Sequence, residues 1–308
     1  MFDEFKSAFQ RPNNAHVQLI IINVVVFALI GVIVVVSTLT GMDAVGNFAK
    51  AQVSLPPTFA EFFTRPWTLI TYMFAHSLSD IFHILFNMLV FYSFGRLFVE
   101  YLGSDKLIAA YVLGGIAGGL AYLLVLNFVP YFSDRLIDTS TVQVSPYFYP
   151  GMVGASAAVY CVVIAAATLL PNYTFFLMFF GPVKIKYIAG ICIVISVLGS
   201  IGSNAGGNIA HLGGALVGYV YLKQLQAGVN WGGWITIFLD WTKDLFKSKP
   251  KVKVTYRSEG EKPQKKSAKV PGKASQAEID AILDKISDRG YESLSKEEKE
   301  KLFNASKK

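Results

Sequence analysis

Apolar stretches of about 20 residues recur along this chain, and they decide what it can fold into. Six of them cover about residues 17–39, 80–98, 106–128, 151–170, 184–203 and 207–226. A helix needs about 20 apolar residues to cross the roughly 30 Å hydrocarbon core of a bilayer. Inside lipid, a helix also satisfies its own backbone polar groups. The pattern predicts an all-α membrane protein with six transmembrane helices.

The composition agrees with this interpretation, because only 16% of the residues are charged and 53% are hydrophobic. Ordinary soluble domains carry about a quarter charged residues. The net charge of +7 belongs mainly to the tail, since 19 of the 28 Lys and Arg residues lie from Lys223 onward. Residues 247–274 contain almost none of the aromatic side chains that a nucleic-acid-binding site places between its Lys and Arg residues. Anionic lipid headgroups, and not nucleic acid, are therefore the expected partner of the tail.

The positions of Lys and Arg beside the spans predict the orientation in the membrane. One side of the membrane collects most of these residues, namely Lys6, Arg11, Arg96, Lys106, Lys184, Lys186 and Lys223, together with the basic tail. Both termini are therefore expected in the cytoplasm, with the protein crossing the plasma or inner membrane several times. The first apolar stretch is longer than the ~7 to 15 residues of a signal core, so it is expected to remain as a membrane helix.

The chain divides into five predicted segments. Residues 1–16 form a short cytoplasmic lead, and residues 17–226 form the six-helix membrane domain. Residues 227–246 place Trp and aliphatic side chains at helical spacing, which predicts an amphipathic helix lying on the membrane interface. Residues 247–274 are rich in Lys, Ser, Pro and Gly and predict a disordered linker. Residues 275–308 contain two S-x-x-E capping boxes, which predict a small cytoplasmic helical hairpin.

Four polar side chains stand out because polar groups inside apolar spans are costly. They are His83 and Asn87 in the second span, Ser156 in the fourth and His211 in the sixth. These spans run in the same direction, and each residue falls within about the first two turns. Taken alone, a membrane serine usually bonds to its own helix, and a lone histidine more often links two helices. Their convergence at one depth near the outer face favours a reactive site.

Ser156 would need a base beside it, because a serine hydroxyl is a weak nucleophile. His211, Gly214 and Gly218 form HxxGxxxG, in which glycines on one face let a neighbouring helix come close. Residues 154–158 are equally small apart from the serine, so the two helices could bring Ser156 to His211. Spans four to six contain no Asp or Glu, so the sequence predicts a serine–histidine dyad and not a complete triad.

Further residues would support such a dyad. Tyr160 lies one helical turn after Ser156 on the same face, where it either stacks on the imidazole or merely fills a gap between helices. His83 and Asn87 also share a face, and both can donate hydrogen bonds to an oxyanion together with the backbone N–H of Ser156. Cys161 and Cys192 fall inside spans and are expected to act as small hydrophobic residues without a disulfide or a metal.

The residues now assembled resemble those of the rhomboid intramembrane serine proteases. Order, spacing and span assignment agree over about residues 17–226. The matching segments are HILFN at 83–87, GRLFVEYLGS at 95–104, GASA at 154–157 with Tyr160 downstream, and AHLGGALVG at 210–218. The resemblance implies that Ser156 is the nucleophile and His211 the general base. It also implies that His83 and Asn87 form the oxyanion hole and that Tyr160 packs on the histidine.

The resemblance also covers positions outside the dyad. Glu100 resembles a family glutamate that hydrogen-bonds the first loop and the adjoining helices. Residues 41–66 look like the family's loop at the membrane interface, and the fifth span resembles the mobile helix beside which substrates enter. Most members have GASG, whereas this chain has Ala157 after Gly154 and Ser156. The extra methyl is expected either to tighten the oxyanion pocket or to displace the neighbouring helix.

The function that these residues predict is an intramembrane serine endopeptidase without a cofactor. Its expected substrates are single-span membrane proteins, cut near the outer membrane boundary. Two other classes are open: a catalytically silent rhomboid-like protein that binds and routes membrane clients, and a small transporter, which the lack of intramembrane acids and of an internal repeat disfavours. The segment 275–308 carries no recognisable catalytic residue and is a candidate for binding a protein partner.

Overall fold

The computed structural model describes residues 7–138, 143–144, 151–177, 180–202, 204–246 and 276–306, so the predicted linker lies outside the described part. The helices are α1 (Ala15–Leu39), α2 (Asp43–Val53), α3 (Phe59–Thr64), α4 (Thr68–Thr71), α5 (Ile81–Leu102), α6 (Ser104–Phe128), α7 (Pro130–Leu136), α8 (Ser156–Leu169), α9 (Ile185–Gly199), α10 (Ala205–Gln226), α11 (Gly233–Phe246), α12 (Gln276–Arg289) and α13 (Lys296–Ser306). The strands form two antiparallel pairs, β1 (Ile137–Asp138) with β2 (Gln143–Val144) and β3 (Thr174–Leu177) with β4 (Gly181–Lys184). The chain forms two compact units, Met1–Lys247 and Ser248–Lys308.

Each of the six predicted spans corresponds to a helix of the first unit. Within the described residues, α1, α5 and α6 are long and apolar enough to cross a membrane. The helices α8 and α9 are also apolar but have only 14 and 15 residues, and α10 has 22. The prediction of a helical membrane protein is therefore confirmed, and the count of six spans stays a prediction.

Three helices, α6, α8 and α10, pack against one another at the centre of the first unit. Small residues allow this, because an added methyl group at Gly118 of α6 would overlap the methyl of Ala157. Likewise, one at Gly218 of α10 would overlap the carbonyl oxygen of Cys161. Such glycine contacts let backbones approach closely in a membrane, where apolar burial provides little drive for association. Around this centre, α1 contacts α5 and α6, α5 contacts α6 and α8, and α9 contacts α8 and α10.

The first loop is folded, and it braces the start of α8. Helices α2, α3 and α4 lie between α1 and α5, and α2 packs against α1. Leu55 exchanges two backbone hydrogen bonds of 2.9 Å with Met152, just before α8. The side chain of Asn127 in α6 donates to the carbonyl oxygen of Pro57 at 2.8 Å. The position of this loop at the membrane interface stays a prediction.

Two predicted spans are shorter in the structure than the apolar pattern suggested. The fourth begins at Ser156 and not near residue 151, because Gly151 and Gly154 have φ angles of +132° and +139°, which a right-handed helix cannot contain. The fifth covers Ile185–Gly199, and the residues before it form the β3–β4 hairpin with Thr174 opposite Lys184. The described helices agree with the predicted all-α fold, and these short strands were not predicted.

The predicted amphipathic segment 227–246 is helical from Gly233. Before it, Gly228 has a φ of +83°, so the chain turns between α10 and α11. In α11, Ile235 is buried against the bundle, whereas Trp234 and Phe238 are more than half exposed. The helix therefore has an apolar face without a partner among the described residues.

The second unit contains α12 and α13, which are joined by a short 3₁₀ turn after Gly290. The hydroxyl of Ser295 accepts the N–H of Glu298 at 3.2 Å, and the Glu298 carboxylate accepts the N–H of Ser295 at 2.7 Å, which is a capping box. The Lys285 ammonium bridges the two helices to Glu298 at 2.9 Å. The hydrogen bonds to Ser295 and Lys285 hold the pKa of the Glu298 carboxyl below its usual value.

Candidate active site

Ser156 and His211 lie side by side, although 55 residues separate them in the chain. Ser156 is the first residue of α8, and His211 lies in the second turn of α10. The hydroxyl oxygen of Ser156 is 2.7 Å from Nε2 of His211, which is a hydrogen-bond distance. A hydroxyl therefore faces a nitrogen that can take its proton.

Glycines of α10 bring the two helices close enough for this bond. A methyl group added at Gly214 would overlap the carbonyl oxygen of Ala157, and one at Gly218 would overlap that of Cys161. Gly214 and Gly218 are four residues apart, so they form one smooth strip of α10. His211 lies at the same end of this strip as Ser156. The close approach of the two backbones therefore sets the distance between Ser156 and His211.

Tyr160 stacks on the imidazole of His211. The ring centroids are 4.2 Å apart, and the ring planes differ by 14°. Because Tyr160 is one turn after Ser156 on α8, the same helix face presents both the hydroxyl and the aromatic surface. Of the two interpretations of Tyr160 that the sequence left open, the structure therefore supports stacking on the imidazole.

Ser196 of α9 is a polar residue of the site that the sequence analysis missed. Its hydroxyl oxygen lies 3.3 Å from Nδ1 of His211 and donates to the Tyr160 hydroxyl at 3.1 Å. The Tyr160 hydroxyl in turn donates to the carbonyl oxygen of Cys192 at 3.4 Å. The available signal was a serine inside the fifth apolar stretch, but serines are common there because most bond to their own helix.

Gly154 leaves an open space between His83 and Ser156. A Cβ atom at Gly154 would lie 3.0 and 3.1 Å from Cε1 and Nε2 of His83 and 3.5 Å from the Ser156 hydroxyl oxygen. Its φ of +139° is also one that glycine adopts readily and other residues avoid. The Gly154 N–H is held by the carbonyl oxygen of Tyr72 at 3.0 Å.

Asn87 lies one turn after His83 on α5 and is largely buried. Its side-chain nitrogen donates to the carbonyl oxygen of His83 at 2.8 Å. A side-chain amide carries two N–H groups, so this local bond leaves one donor for another acceptor. The ring of His83 meets the ring of His76 edge-on at 5.3 Å.

His76 lies in the turn before α5 and bonds to the segment that leads into α8. Its Nε2 accepts the backbone N–H of Ala155 at 3.5 Å. Burial, with a smaller effect from His83, lowers the pKa of the His76 imidazole to about 3. The ring is therefore neutral at physiological pH, as an accepting Nε2 requires. It lines a second cavity of about 460 Å³, together with Lys50.

Ala157, the residue that departs from the common family pattern, is buried between helices. Its methyl group lies against Gly118 of α6, and its carbonyl oxygen lies against Gly214 of α10. Only 1% of the residue is exposed. The extra methyl is therefore accommodated by a glycine of the neighbouring helix.

A cavity of about 420 Å³ opens beside the Ser156 hydroxyl. Its wall includes Tyr72, Ser77, Asp80, His83, Tyr122, Met152, Gly154, Ser156, Ala157, Asn204 and Gly206. The Asp80 carboxylate caps α5 by accepting the N–H groups of Phe82 and His83 at 3.1 and 3.2 Å. Among the described residues, no three His, Cys, Asp or Glu side chains are grouped as a metal ion would require.

Glu100 does not make the contacts that the resemblance implied. Its side chain is exposed near the end of α5, and within the described residues it has no hydrogen bond or ion pair to the first loop. The helical period explains this, because Arg96 and Tyr92 are four and eight residues earlier and are also exposed. Glu100 therefore lies on the outward face of α5, away from the dyad.

Two family models match the chain. One, described as a rhomboid domain, covers residues 64–226, and the other, a family of unknown function (DUF6576), covers residues 272–308. A similar protein is "RHOMBOID-like protein 12, mitochondrial" of Arabidopsis thaliana, which is 32% identical over 167 residues. That match covers 53% of this chain and 48% of the relative, so it spans about half the length of each.

Proposed function

The chain belongs to the rhomboid family, and we propose that it is an intramembrane serine endopeptidase. The observation that carries this proposal is the 2.7 Å hydrogen bond between the Ser156 hydroxyl and Nε2 of His211, at the wall of a cavity. A serine with a purely structural role would be satisfied by a carbonyl of its own helix. Pairing with an imidazole instead gives the hydroxyl a base.

The first half of the reaction forms an ester on Ser156. The hydroxyl oxygen attacks the carbonyl carbon of the scissile peptide bond, and its proton passes to Nε2 of His211. The carbonyl π electrons move onto oxygen and make an oxyanion. As that oxyanion collapses, the C–N bond breaks and the leaving nitrogen takes the proton from Nε2. The fragment with the new amino terminus leaves, and the other fragment remains esterified to Ser156.

The second half hydrolyses the ester. A water molecule from the cavity attacks the ester carbon and gives one proton to Nε2 of His211, which forms a second oxyanion. When this intermediate collapses, the bond to Ser156 breaks and the hydroxyl oxygen recovers the proton from Nε2. The fragment with the new carboxyl group leaves, and the dyad returns to its starting state.

Each oxyanion would be stabilised by donors around Gly154. The space that Gly154 leaves open is bounded by the His83 ring and the Ser156 hydroxyl. The remaining N–H of the Asn87 amide and the backbone N–H of Ser156 are further donors. Because Ser156 begins α8, the N–H groups of that first turn have no partner within the helix, and the helix end favours negative charge.

The short length of α8 supports cleavage below the outer membrane surface. At 1.5 Å per residue, its 14 residues span about 21 Å. This is about 9 Å less than the hydrocarbon thickness of roughly 30 Å. With its far end at the inner boundary, Ser156 would lie within the membrane near the outer side. Single-span substrates would have to unwind there, because a regular helix engages its carbonyl groups.

The cellular setting follows from the charge pattern. Lys and Arg beside the spans favour cytoplasmic termini in a protein that crosses the plasma or inner membrane several times. The exposed Trp and Phe side chains of α11 would dip into the interface, and the basic tail would bind anionic headgroups. The pair α12 and α13 would bind a protein partner.

Labelling of Ser156 tests this proposal against a silent protein that only binds and routes membrane clients. A fluorophosphonate reacts with a serine only if a base activates the hydroxyl. The purified protein is expected to gain one adduct, which peptide mapping locates on Ser156. The variant His211→Ala is expected to lose the adduct while keeping its melting temperature. Absence of an adduct on the folded wild type would favour the silent protein.

A further inference from the structure

Ser196 is the buried hydroxyl of α9, and it faces the dyad instead of its own helix. Its exposure is 0%, although the residues on either side of it are exposed. Its oxygen contacts Nδ1 of His211 at 3.3 Å and the Tyr160 hydroxyl at 3.1 Å. By contrast, the hydroxyl of Ser200, which follows the last residue of α9, donates to the carbonyl oxygen of Val197 at 2.7 Å, as membrane serines usually do.

These contacts form one chain of hydrogen bonds. The acceptor at its far end determines which atom donates in each bond. The Tyr160 hydroxyl donates to the carbonyl oxygen of Cys192, which can only accept. The Tyr160 oxygen is then an acceptor for the Ser196 hydroxyl, and the Ser196 oxygen is left to accept an N–H. In this direction, the 3.3 Å contact between Nδ1 of His211 and the Ser196 oxygen is made by an Nδ1–H that donates.

The tautomer of the imidazole follows from this direction. A neutral imidazole has a single N–H, so protonation of Nδ1 leaves Nε2 without a proton. Nε2 is the nitrogen that lies 2.7 Å from the Ser156 hydroxyl. The base is thus prepared to accept, and a carboxylate plays the corresponding role in a complete triad.

We propose that Ser196 is a positioning residue that, with the Tyr160 hydroxyl and the Cys192 carbonyl, holds His211 in the tautomer that accepts the Ser156 proton. This inference rests on the proposed endopeptidase function. When Nε2 takes the proton, the Nδ1–H still donates to Ser196, and no proton moves along the chain. Since Ser196 belongs to α9 and His211 to α10, a shift of α9 away from α10 would release the imidazole.

Cleavage kinetics of a model single-span substrate by the full-length protein in liposomes test this role. Ser196→Ala is expected to lower kcat about tenfold, the value of one hydrogen bond to a group that becomes charged. KM is expected to stay within about twofold, because Ser196 does not line the cavity beside Ser156. Ser200→Ala, at the residue that directly follows α9, is the matched control, and its kcat is expected to stay within about twofold of wild type.

A double-mutant cycle separates a hydrogen-bond chain from two independent contacts. Tyr160→Phe keeps the stacked ring but removes the hydroxyl, and it is expected to lower kcat about threefold. The double variant Ser196→Ala/Tyr160→Phe is expected to be no slower than Ser196→Ala alone, because both changes break the same chain. If kcat of the double variant falls about thirtyfold, which is the two single effects multiplied together, the proposal is overturned.

Nitrogen NMR gives a readout that a purely structural role would not move. The chain has four histidines, so ¹⁵N-labelled histidine gives few signals, and His211→Gln identifies the one of interest. Wild type is expected to show Nδ1 protonated, and Ser196→Ala is expected to show a mixture of both tautomers. An unchanged tautomer in Ser196→Ala would contradict the proposal.

Two further measurements separate failure of the positioning role from failure of the endopeptidase function. They are the melting temperature of each variant and the cleavage activity of Ser156→Ala. If Ser156→Ala still cleaves, the endopeptidase function itself is wrong. If Ser156→Ala is inactive but folded Ser196→Ala has wild-type kcat, only the positioning role is wrong. If Ser196→Ala fails to fold, Tyr160→Phe decides: a threefold fall in kcat supports the chain, and an unchanged kcat overturns it.

Discussion

Gly214 of α10 lies against the carbonyl oxygen of Ala157 in α8, with no room for a methyl group between them. Ala157 directly follows Ser156, and Gly214 is about one turn after His211. A backbone carbonyl cannot rotate away as a side chain can, so the separation of the two helices depends on the missing side chain. The distance from Ser156 to His211 depends on that same separation.

Gly214→Ala is therefore expected to force α8 and α10 apart. Overpacking of this kind costs about 1 to 3 kcal/mol, so the melting temperature should fall, and cleavage activity should fall more than tenfold. The matched control is Gly190→Ala in α9, where a Cβ would meet nothing within 4 Å. That change should be neutral or slightly stabilising, because alanine favours helix more than glycine does. If the two variants have the same melting temperature and the same cleavage activity, the close packing at Gly214 does not set the geometry of the dyad.

Gly154→Ala is expected to abolish cleavage by occupying the space for the oxyanion. The new methyl would lie about 3.0 Å from the His83 ring and 3.5 Å from the Ser156 hydroxyl oxygen. Gly181→Ala separates this effect from backbone strain, because Gly181 also has a positive φ, +68°, but open space around it. Activity measured at equal amounts of folded protein should be lost only in Gly154→Ala. Retained activity in Gly154→Ala would show that the oxyanion does not form at this position.

Asn87→Ala is expected to lower kcat about 100-fold, the usual cost of losing one oxyanion donor. The fall should appear in kcat more than in KM, because the charge on the oxygen develops only during the reaction. Ser93→Ala on the same helix is the control, since among the described residues the Ser93 hydroxyl bonds only to the Leu89 carbonyl oxygen, at 3.0 Å. A change of less than threefold in kcat for Asn87→Ala would leave the oxyanion to other donors.

His76 is expected to make the stability depend on pH. Its folded-state pKa of about 3 lies below the ordinary value of 6.5, so between these values the unfolded chain binds a proton that the folded chain does not. The free energy of unfolding contributed by His76 is fully present above pH 6.5. It is lost as pH falls toward 3, by at most about 1.4 kcal/mol per pH unit.

The measurement is the melting temperature of the detergent-solubilised protein from pH 7 to pH 4.5. His76→Gln removes the titrating group but keeps a side chain that can accept the Ala155 N–H. The variant should show a shallower fall in melting temperature than wild type. Parallel curves for the two proteins would mean that His76 does not bind this proton on unfolding.

Much of the bundle could be predicted because its helices are apolar and punctuated by turn residues. The bounds predicted for α1, α5 and α6 differ from the observed ones by at most a few residues. The start of α8 could not be predicted from hydrophobicity, because Gly151 and Gly154 are compatible with an apolar helix by composition. Their positive φ angles make α8 begin at Ser156 and not earlier.

The site residues also divide into those that the sequence could indicate and those that it could not. His83, Asn87, Ser156 and His211 are conspicuous because their polar groups are rare at that depth. Ser196 could not be singled out, because its importance depends on which face of α9 turns toward α10. Glu100 shows the reverse case: its motif suggested a contact, but the helical period of α5 turns it outward.

Cleavage of a single-span substrate by the purified protein in liposomes tests the central claim most directly, with the products identified by mass spectrometry. The dyad predicts that wild type cuts the substrate at a bond near its outer membrane boundary. Ser156→Ala should give no product while keeping the wild-type melting temperature. Product formation by Ser156→Ala at the wild-type rate, at the same bond, would contradict the account.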